Sequence, residues 1–322
     1  MFRAGIVGTG GMGILHQQAL TKLGIPVVAI MSRRKEAGLV TAQRINALYC
    51  QTIDELVKAG IDMAIVATPT ESHGQIVVEL IERGVKCIFC EKPLTRTWEE
   101  AKKIHELCEK KRIALGIGYK MRFEKGFQTV KERLDREEIG KLHFLTFNYF
   151  QTTPPQPWYL ESGVVHEILS HVIDLSNWVA GIPLEVFCQT QNFQGGAGED
   201  RASLIVNYQH GPVATINGGW ISEYPERPGK QLRNICFQLV GEKGYIAGVR
   251  GLKLFLCQGD REETVEIHPV DAVVEELKAF FEAASKNQPP PVGLKEGISA
   301  QAVIEAALQS AQSGKKEKVP QL

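Results

Sequence analysis

The chain has no excess of either charge: 37 Lys plus Arg stand against 37 Asp plus Glu in 322 residues. It has no basic block that could follow a phosphate backbone, which argues against nucleic acid as a partner. Nor does any apolar stretch approach the roughly 20 residues of a membrane span. The N-terminus lacks the charged, apolar and small-residue succession of an export signal, so a cytoplasmic protein is expected. Cysteine is scarce and odd in number, seven in all, which argues for reduced thiols over a disulfide framework. Cys87-Ile88-Phe89-Cys90 is formally a CxxC. It lies in an apolar run where residues three apart point to opposite faces of a strand, so it reads as buried thiols and not as a redox or metal pair. Repeats and low-complexity tracts are missing apart from short Pro clusters.

What is present is an alternation of short apolar runs and amphipathic stretches. The runs at 2–8, 27–31, 63–68, 86–90 and 113–118 read as buried parallel strands. Between them, Ile76, Val77, Leu80 and Ile81 share a helical face that stops at Gly84, and Thr97-x-x-Glu100 is a capping box ahead of Ala101, Ile104, Leu107 and Cys108. This is an α/β pattern, an N-terminal Rossmann-type doubly wound parallel sheet over residues 1–120. After 120 the rhythm changes to a helix near 127–138, a strand at 142–150, the Pro-rich loop TTPPQP and a helix at about 164–179. Strands then follow one another from 184 to 270 before two closing helices at 271–286 and 295–313. Directly joined strands imply an α+β second domain, 121–322, with a large, mostly antiparallel open sheet.

Directly behind the first strand stands Gly8-x-Gly10-x-x-Gly13. Glycines at this spacing permit the tight turn and close backbone approach that a dinucleotide pyrophosphate needs, and the following helix offers its N-terminal amides. Gly8, Gly10, Gly11, Met12 and Gly13 are therefore candidate cofactor contacts. An NAD-selective site places a carboxylate at the end of the second strand to accept the ribose hydroxyls. Here that position reads MSRRKEA, and Ser32, Arg33 and Arg34 offer a hydroxyl and two guanidinium groups suited to a 2′-phosphate. NADP(H) is favoured, with NAD(H) as the alternative.

Two further segments carry reactive groups. In CEKPL (90–94), Lys92 precedes a proline at the C-terminal end of a predicted strand, where ligands of doubly wound sheets bind. In GVVHEILSHVIDL (163–175), Glu167, His171 and Asp174 recur at i, i+4 and i+7, the spacing of one helix face. Such a face could bind a metal, hold a proton relay or line a polar edge of the core. His166 and His171 are five apart and diverge by roughly 140°, so a zinc site of the metalloprotease kind is not expected and no metal is assigned.

Taken in order and spacing, GIVGTGGMG, ATPTESH (67–73), EKPL, YKMRF (119–123) and HEILSHVIDL resemble the glucose-fructose oxidoreductase, inositol dehydrogenase and MocA (GFO/IDH/MocA) family. The resemblance runs to about residue 246 and returns in the terminal helix. It implies an NAD(P)-dependent oxidoreductase of sugars, cyclic polyols or related carbonyl compounds, with a small-molecule partner and a homodimer or homotetramer formed through the C-terminal sheet. By position, Lys92 and His171 match the family's reacting Lys and His. Glu167 stands where the family usually has Asp, and Gly163 where a run of glycines is common. Thr68, Pro69, His73 and Glu91 fall among its cofactor contacts. Arg122, Trp158, His166 and Asp174 are candidate substrate contacts, with a salt bridge as the equal alternative for Arg122, packing for Trp158 and an orienting role for Asp174.

Oxidising a carbinol needs a base for the hydroxyl proton as hydride leaves. His171, braced by Glu167, suits that role, with Lys92 polarising the substrate oxygen, though the two could be exchanged. Two other readings stay open: a closed-cycle enzyme that oxidises and then re-reduces with tightly held cofactor, and a non-catalytic NAD(P)-binding sensor or regulatory protein.

Overall fold

The computed structural model describes residues 2–152, 158–221 and 233–322, so most of the Pro-rich loop lies outside the described residues. The chain forms two compact units, Met1–Lys120 with Asp271–Gln301, and Met121–Val270 with Ala302–Leu322.

The first unit contains strands β1 (Ala4–Val7), β2 (Val27–Met31), β3 (Leu48–Cys50), β4 (Met63–Val66), β5 (Cys87–Cys90) and β6 (Ala114–Ile117). Helices α1 (Gly11–Lys22), α2 (Lys35–Arg44), α3 (Ile53–Lys58), α4 (His73–Glu82) and α5 (Trp98–Lys111) connect them. All neighbouring strands pair in parallel, in the order β3-β2-β1-β4-β5-β6. This is the doubly wound sheet expected from the apolar runs, and its order reverses between β1 and β4, where such folds bind ligands. Every residue of β1, β4 and β5 is buried, which is why these strands read as continuous apolar runs instead of alternating ones. Cys87 and Cys90 are both buried in β5, and burial pushes the Cys87 thiol up to about 12. The Thr97 capping box at the start of α5 is formed in both directions.

The sequence division at 120 assigns the whole of 121–322 to the second domain, but residues 271–301 pack with the first unit. The cause is the apolar stripe of α9 (Ala272–Ser285), whose Val273, Leu277, Phe280 and Phe281 lie in one core with Ile6, Leu20 and Phe89. Phe280 meets Phe89 edge to face at 5.4 Å, and burying such a ring stabilises by about 1.5–3 kcal/mol. Asp271 caps α9 and takes an ion pair from Lys22 of α1 at 2.6 Å.

The second unit begins with α6 (Lys125–Asp135) and β7 (Leu142–Thr152). It continues through α7 (Trp158–Ser162), a π-helical turn (Val165–Leu169) and α8 (Ser170–Ala180). Then come β8 (Pro183–Gln191), β9 (Arg201–Tyr208), β10 (Val213–Ile221), β11 (Arg233–Gly241), β12 (Gly244–Val249), β13 (Lys253–Gln258) and β14 (Arg261–Glu266). The part of α10 (Leu294–Ser313) from Ala302 onward belongs to this unit and leads to β15 (Glu317–Lys318). The sheet has nine strands in the order β14-β13-β12-β11-β7-β10-β9-β8-β15, antiparallel except where β7 and β10 run parallel. Along β9, Ala202, Leu204, Val206 and Tyr208 are buried while Ser203 and Ile205 are exposed, the alternation of a sheet covered on one face. α8 and the π-helical turn supply that cover. Gly218 has no side chain to collide with Leu169, and the Tyr208 hydroxyl meets Ser176 and Asn177 at 2.7 and 2.8 Å. On the other face Phe144, Ile205 and Phe255 are exposed.

Candidate active site

The loop between β1 and α1 is built by its glycines. Gly8 has φ +110°, and a Cβ on it would strike the Ala67 carbonyl. A Cβ on Gly13 would strike the Gly8 carbonyl, so both positions must stay bare for loop and helix to close. Gly10 and Gly11 instead face open space, with nothing within 4 Å of a Cβ. No side chain caps the N-terminus of α1 and its first turn carries no acid, which leaves amides and dipole available to an anion. A dinucleotide pyrophosphate fits this cradle: two glycines are required by the protein and two leave room for a ligand. Met12 lies next to them, its sulfur 3.9 Å from the Lys120 ammonium.

At the end of β2, Ser32 shares a hydrogen bond of 2.9 Å with Thr9, and its carbonyl accepts from the Tyr49 hydroxyl. Arg33 and Arg34 follow, both exposed. Beyond β4, Ser72 Oγ lies 2.8 Å from Thr68 Oγ1 and 2.9 Å from the Pro69 carbonyl, so these residues are tied together as a turn. His73 is a candidate cofactor contact in the sequence. Both ring nitrogens lie 2.8 Å from backbone carbonyls, those of Pro93 and Thr68, so the ring ties the β4 and β5 loops together.

Glu91 is a second candidate cofactor contact from the sequence. Its carboxylate is buried and turned inward: Oε1 lies 2.7 Å from His16 Nε2, and Oε2 accepts the Lys92 amide at 3.2 Å. Burial raises the Glu91 pKa, but the bond to His16 and the charges of His16, Lys120 and Lys92 outweigh it and hold the carboxyl below its usual value. Lys92 is half-buried and leaves the sheet at this braced point. His16 and Glu91 were not linked by sequence reasoning. The available signal was periodicity, since His16 falls on the buried ridge of α1 with Gly13, Ala19 and Leu20.

In the second unit, His166, Glu167, His171 and Asp174 are all buried along one continuous helical segment. The turn holding His166 and Glu167 is π-helical, which shifts both from the 3.6-residue ridge that their spacing predicts. Glu199 fixes this turn by accepting the Val165 amide at 2.8 Å. Gly163, at φ +88°, must lack a Cβ because the Glu199 carboxylate occupies that space. Asp174 is taken by Arg122 in a buried two-point pair, and the Arg122 guanidinium also lies 5.3 Å from the Trp178 ring. The pairing favours the salt-bridge alternative for Arg122 and the orienting role for Asp174 over substrate contact. Trp158 stacks on Tyr159 at 3.9 Å, with Tyr159 edge-on to Trp220.

No helix among the described residues is long and apolar enough to cross a membrane. Residues 2–119 match the model of an oxidoreductase family with an NAD-binding Rossmann fold, and residues 127–247 match the GFO/IDH/MocA C-terminal domain. The chain is 24% identical to the myo-inositol 2-dehydrogenase of Thermotoga maritima over 99% of each chain. It is 25% identical to the inositol 2-dehydrogenase of Rhizobium meliloti over 96% of each. Among solved structures, an oxidoreductase from Agrobacterium radiobacter in complex with NAD+, L-tartaric acid and magnesium superposes with a TM-score of 0.91. That match is 18% identical and covers 99% of this chain and 98% of the other, a likeness of fold.

Proposed function

The chain belongs to the GFO/IDH/MocA family of oxidoreductases, and from that premise we propose that it transfers a hydride between nicotinamide and a carbinol or carbonyl carbon of a sugar, cyclic polyol or related small molecule. The observation that carries the reading is the glycine cradle, where Gly8 and Gly13 close the loop and Gly10 and Gly11 leave a pyrophosphate its space. The two inositol dehydrogenases similar along nearly the whole chain support the polyol class.

The nicotinamide, when bound, supplies the hydride acceptor for oxidation and the donor for reduction. The proton is the protein's task. His171 takes it from the substrate hydroxyl in oxidation and returns it in reduction, in the titration range for which imidazole is suited. Glu167, buried in the same continuous helical segment, is assigned the role of orienting that imidazole. Lys92 polarises the substrate oxygen, and the hydrogen bond that its backbone N–H donates to Glu91 Oε2 fixes where its side chain starts.

NADP(H) is the preferred cofactor in this reading, supported by two exposed arginines and no acid directly after β2. Two copies pair through the open face of the nine-stranded sheet, where Phe144, Ile205 and Phe255 are exposed, giving a dimer or a tetramer. The enzyme works in the cytoplasm, in keeping with its free thiols.

The test is the absorbance of reduced nicotinamide when the protein meets NADP+ or NAD+ with inositols, aldoses and sugar derivatives. Turnover that falls at least about a hundredfold in Lys92→Ala, with nucleotide affinity nearly intact, is expected. Unchanged turnover in that variant removes Lys92 from the site. Silence across the panel with nucleotide still bound favours the closed-cycle enzyme or the sensor.

A further inference from the structure

One acid stands on the buried stripe of α9, where apolar residues are the rule. Glu276 follows Val273, precedes Leu277 and Phe280, and is 2% exposed. Neither of its carboxyl oxygens meets a hydrogen-bond partner among the described residues. A buried polar group in that condition is costly and calls for a local reason. The reason lies beside it: a ring nitrogen of His16, a carboxylate oxygen of Glu91 and one of Glu276 are all within 4.8 Å of one another. Three elements deliver these groups, α1, the end of β5 and α9, and all three side chains are buried.

We propose that Glu276 is a positioning residue for Lys92: it completes a carboxyl, carboxylate and imidazole cluster with Glu91 and His16, and that cluster fixes the backbone from which Lys92 projects. The proposal rests on the reading of Lys92 as a group that acts on substrate. The chain of contacts is short. Glu91 Oε1 is 2.7 Å from His16 Nε2, and Glu91 Oε2 accepts the Lys92 amide at 3.2 Å. The pocket has no slack on its far side, because a Cβ on Gly118 would lie only 3.0 Å from Glu91 Oε2. The His16 ring is held in turn by Phe89, edge to face at 5.4 Å.

The charged and titratable groups around Glu276 are His16 from α1, Glu91 from the end of β5 and Lys120 after β6, and Lys92 acts on Glu91. Burial, and then the negative charge of Glu91, push the Glu276 carboxyl well above its usual range, with Lys120 opposing. Glu91 is pushed the other way by His16, Lys120 and Lys92. The two carboxyls therefore separate into a neutral acid and a carboxylate. The acid proton of Glu276 can serve the Glu91 carboxylate across a gap that one rotamer change or one bridging water spans. A divalent cation would use the same ligands differently, with both carboxyls ionised. The ammonium groups of Lys92 and Lys120 beside Glu91 weigh against a divalent cation at these ligands.

The first experiment needs no turnover. Thermal unfolding of the full chain is followed from pH 5 to 8 for wild type and Glu276→Gln. A carboxyl whose folded pKa is raised is ionised in the unfolded chain above about 4.3 while the folded chain keeps its proton. It therefore loses stability steadily as pH rises toward the folded value, whereas glutamine does not. The Tm advantage of Glu276→Gln over wild type should then grow by roughly 2 °C per pH unit. A difference that stays flat overturns the neutral acid. So does a stoichiometric divalent cation retained by dialysed wild type and missing from Glu276→Gln. The second experiment is kinetic: Glu276→Leu should lower kcat about tenfold or more with nucleotide Kd within threefold, and Glu276→Gln should recover most of that loss. Equal losses in both variants, or a loss confined to Kd, overturn the positioning role. Full turnover in Lys92→Ala would instead overturn the lysine reading, and the pH series would still report on the cluster. If Glu276→Leu does not fold, the glutamine variant's pH series decides alone.

Discussion

Arg122 and Asp174 meet side-on, with Nε 2.8 Å from Oδ2 and Nη2 2.7 Å from Oδ1, and both side chains are buried. A planar guanidinium satisfies both carboxylate oxygens in this geometry, so the two charges neutralise each other inside the second unit.

Removing one partner leaves the other charge buried alone. Arg122→Ala should destabilise the second unit by about 3–5 kcal/mol, whereas the double change Arg122→Leu with Asp174→Leu should recover most of that, because an apolar pair carries no desolvation cost. Urea unfolding of the three proteins checks this. Stability near wild type in Arg122→Ala, together with lost turnover, would move Arg122 back among the substrate contacts.

Such pairs mark where the sequence could be read and where it could not. Strands β1, β4 and β5 were legible because every residue is buried and so each appears as an uninterrupted apolar run, as at 63–66. β3 was not, being three residues long with Leu48 exposed and only Cys50 buried, too short to show a period. The place of α9 was hidden for another reason: helix periodicity shows that Leu277 and Phe280 are buried, but not that Phe89, almost 190 positions earlier, is what covers them. Among site residues, the glycine loop announced itself by spacing. His16 and Glu276 did not, since each is a polar residue on an apolar ridge and its partner lies on a different element. The π-helical turn at Glu167 leaves no mark in residue spacing, because the segment has the composition of an ordinary buried helix.

The glycines of the first loop separate folding from binding. A Cβ at Gly13 collides with the Gly8 carbonyl, whereas one at Gly10 meets nothing within 4 Å. Gly13→Ala should lower the Tm and weaken nucleotide binding together. Gly10→Ala should leave the Tm of the free protein within about 2 °C and reduce nucleotide affinity by an order of magnitude or more, since its methyl group fills only the ligand's space. Thermal scans with and without nucleotide read both effects. A Gly10→Ala protein that binds as wild type does would place the pyrophosphate elsewhere.

The proposed preference for NADP(H) rests on Arg33 and Arg34, which are exposed directly after β2. A 2′-phosphate gains charge-assisted bonds from a guanidinium that a 2′-hydroxyl cannot match. Replacing both residues with Ala should weaken NADPH about tenfold to a hundredfold, or roughly 1.4–2.8 kcal/mol, while NADH changes less than threefold. Salt discriminates further. The interaction is surface-exposed and screened, so the wild-type preference for NADPH should shrink as ionic strength rises, and the double variant should show little such dependence. Fluorescence titrations with both cofactors at two salt concentrations measure the four affinities needed. Equal losses for NADPH and NADH would mean that the arginines contact the parts the cofactors share, and the preference would have to be sought at Ser32 or Thr9, whose hydroxyls already meet at 2.9 Å.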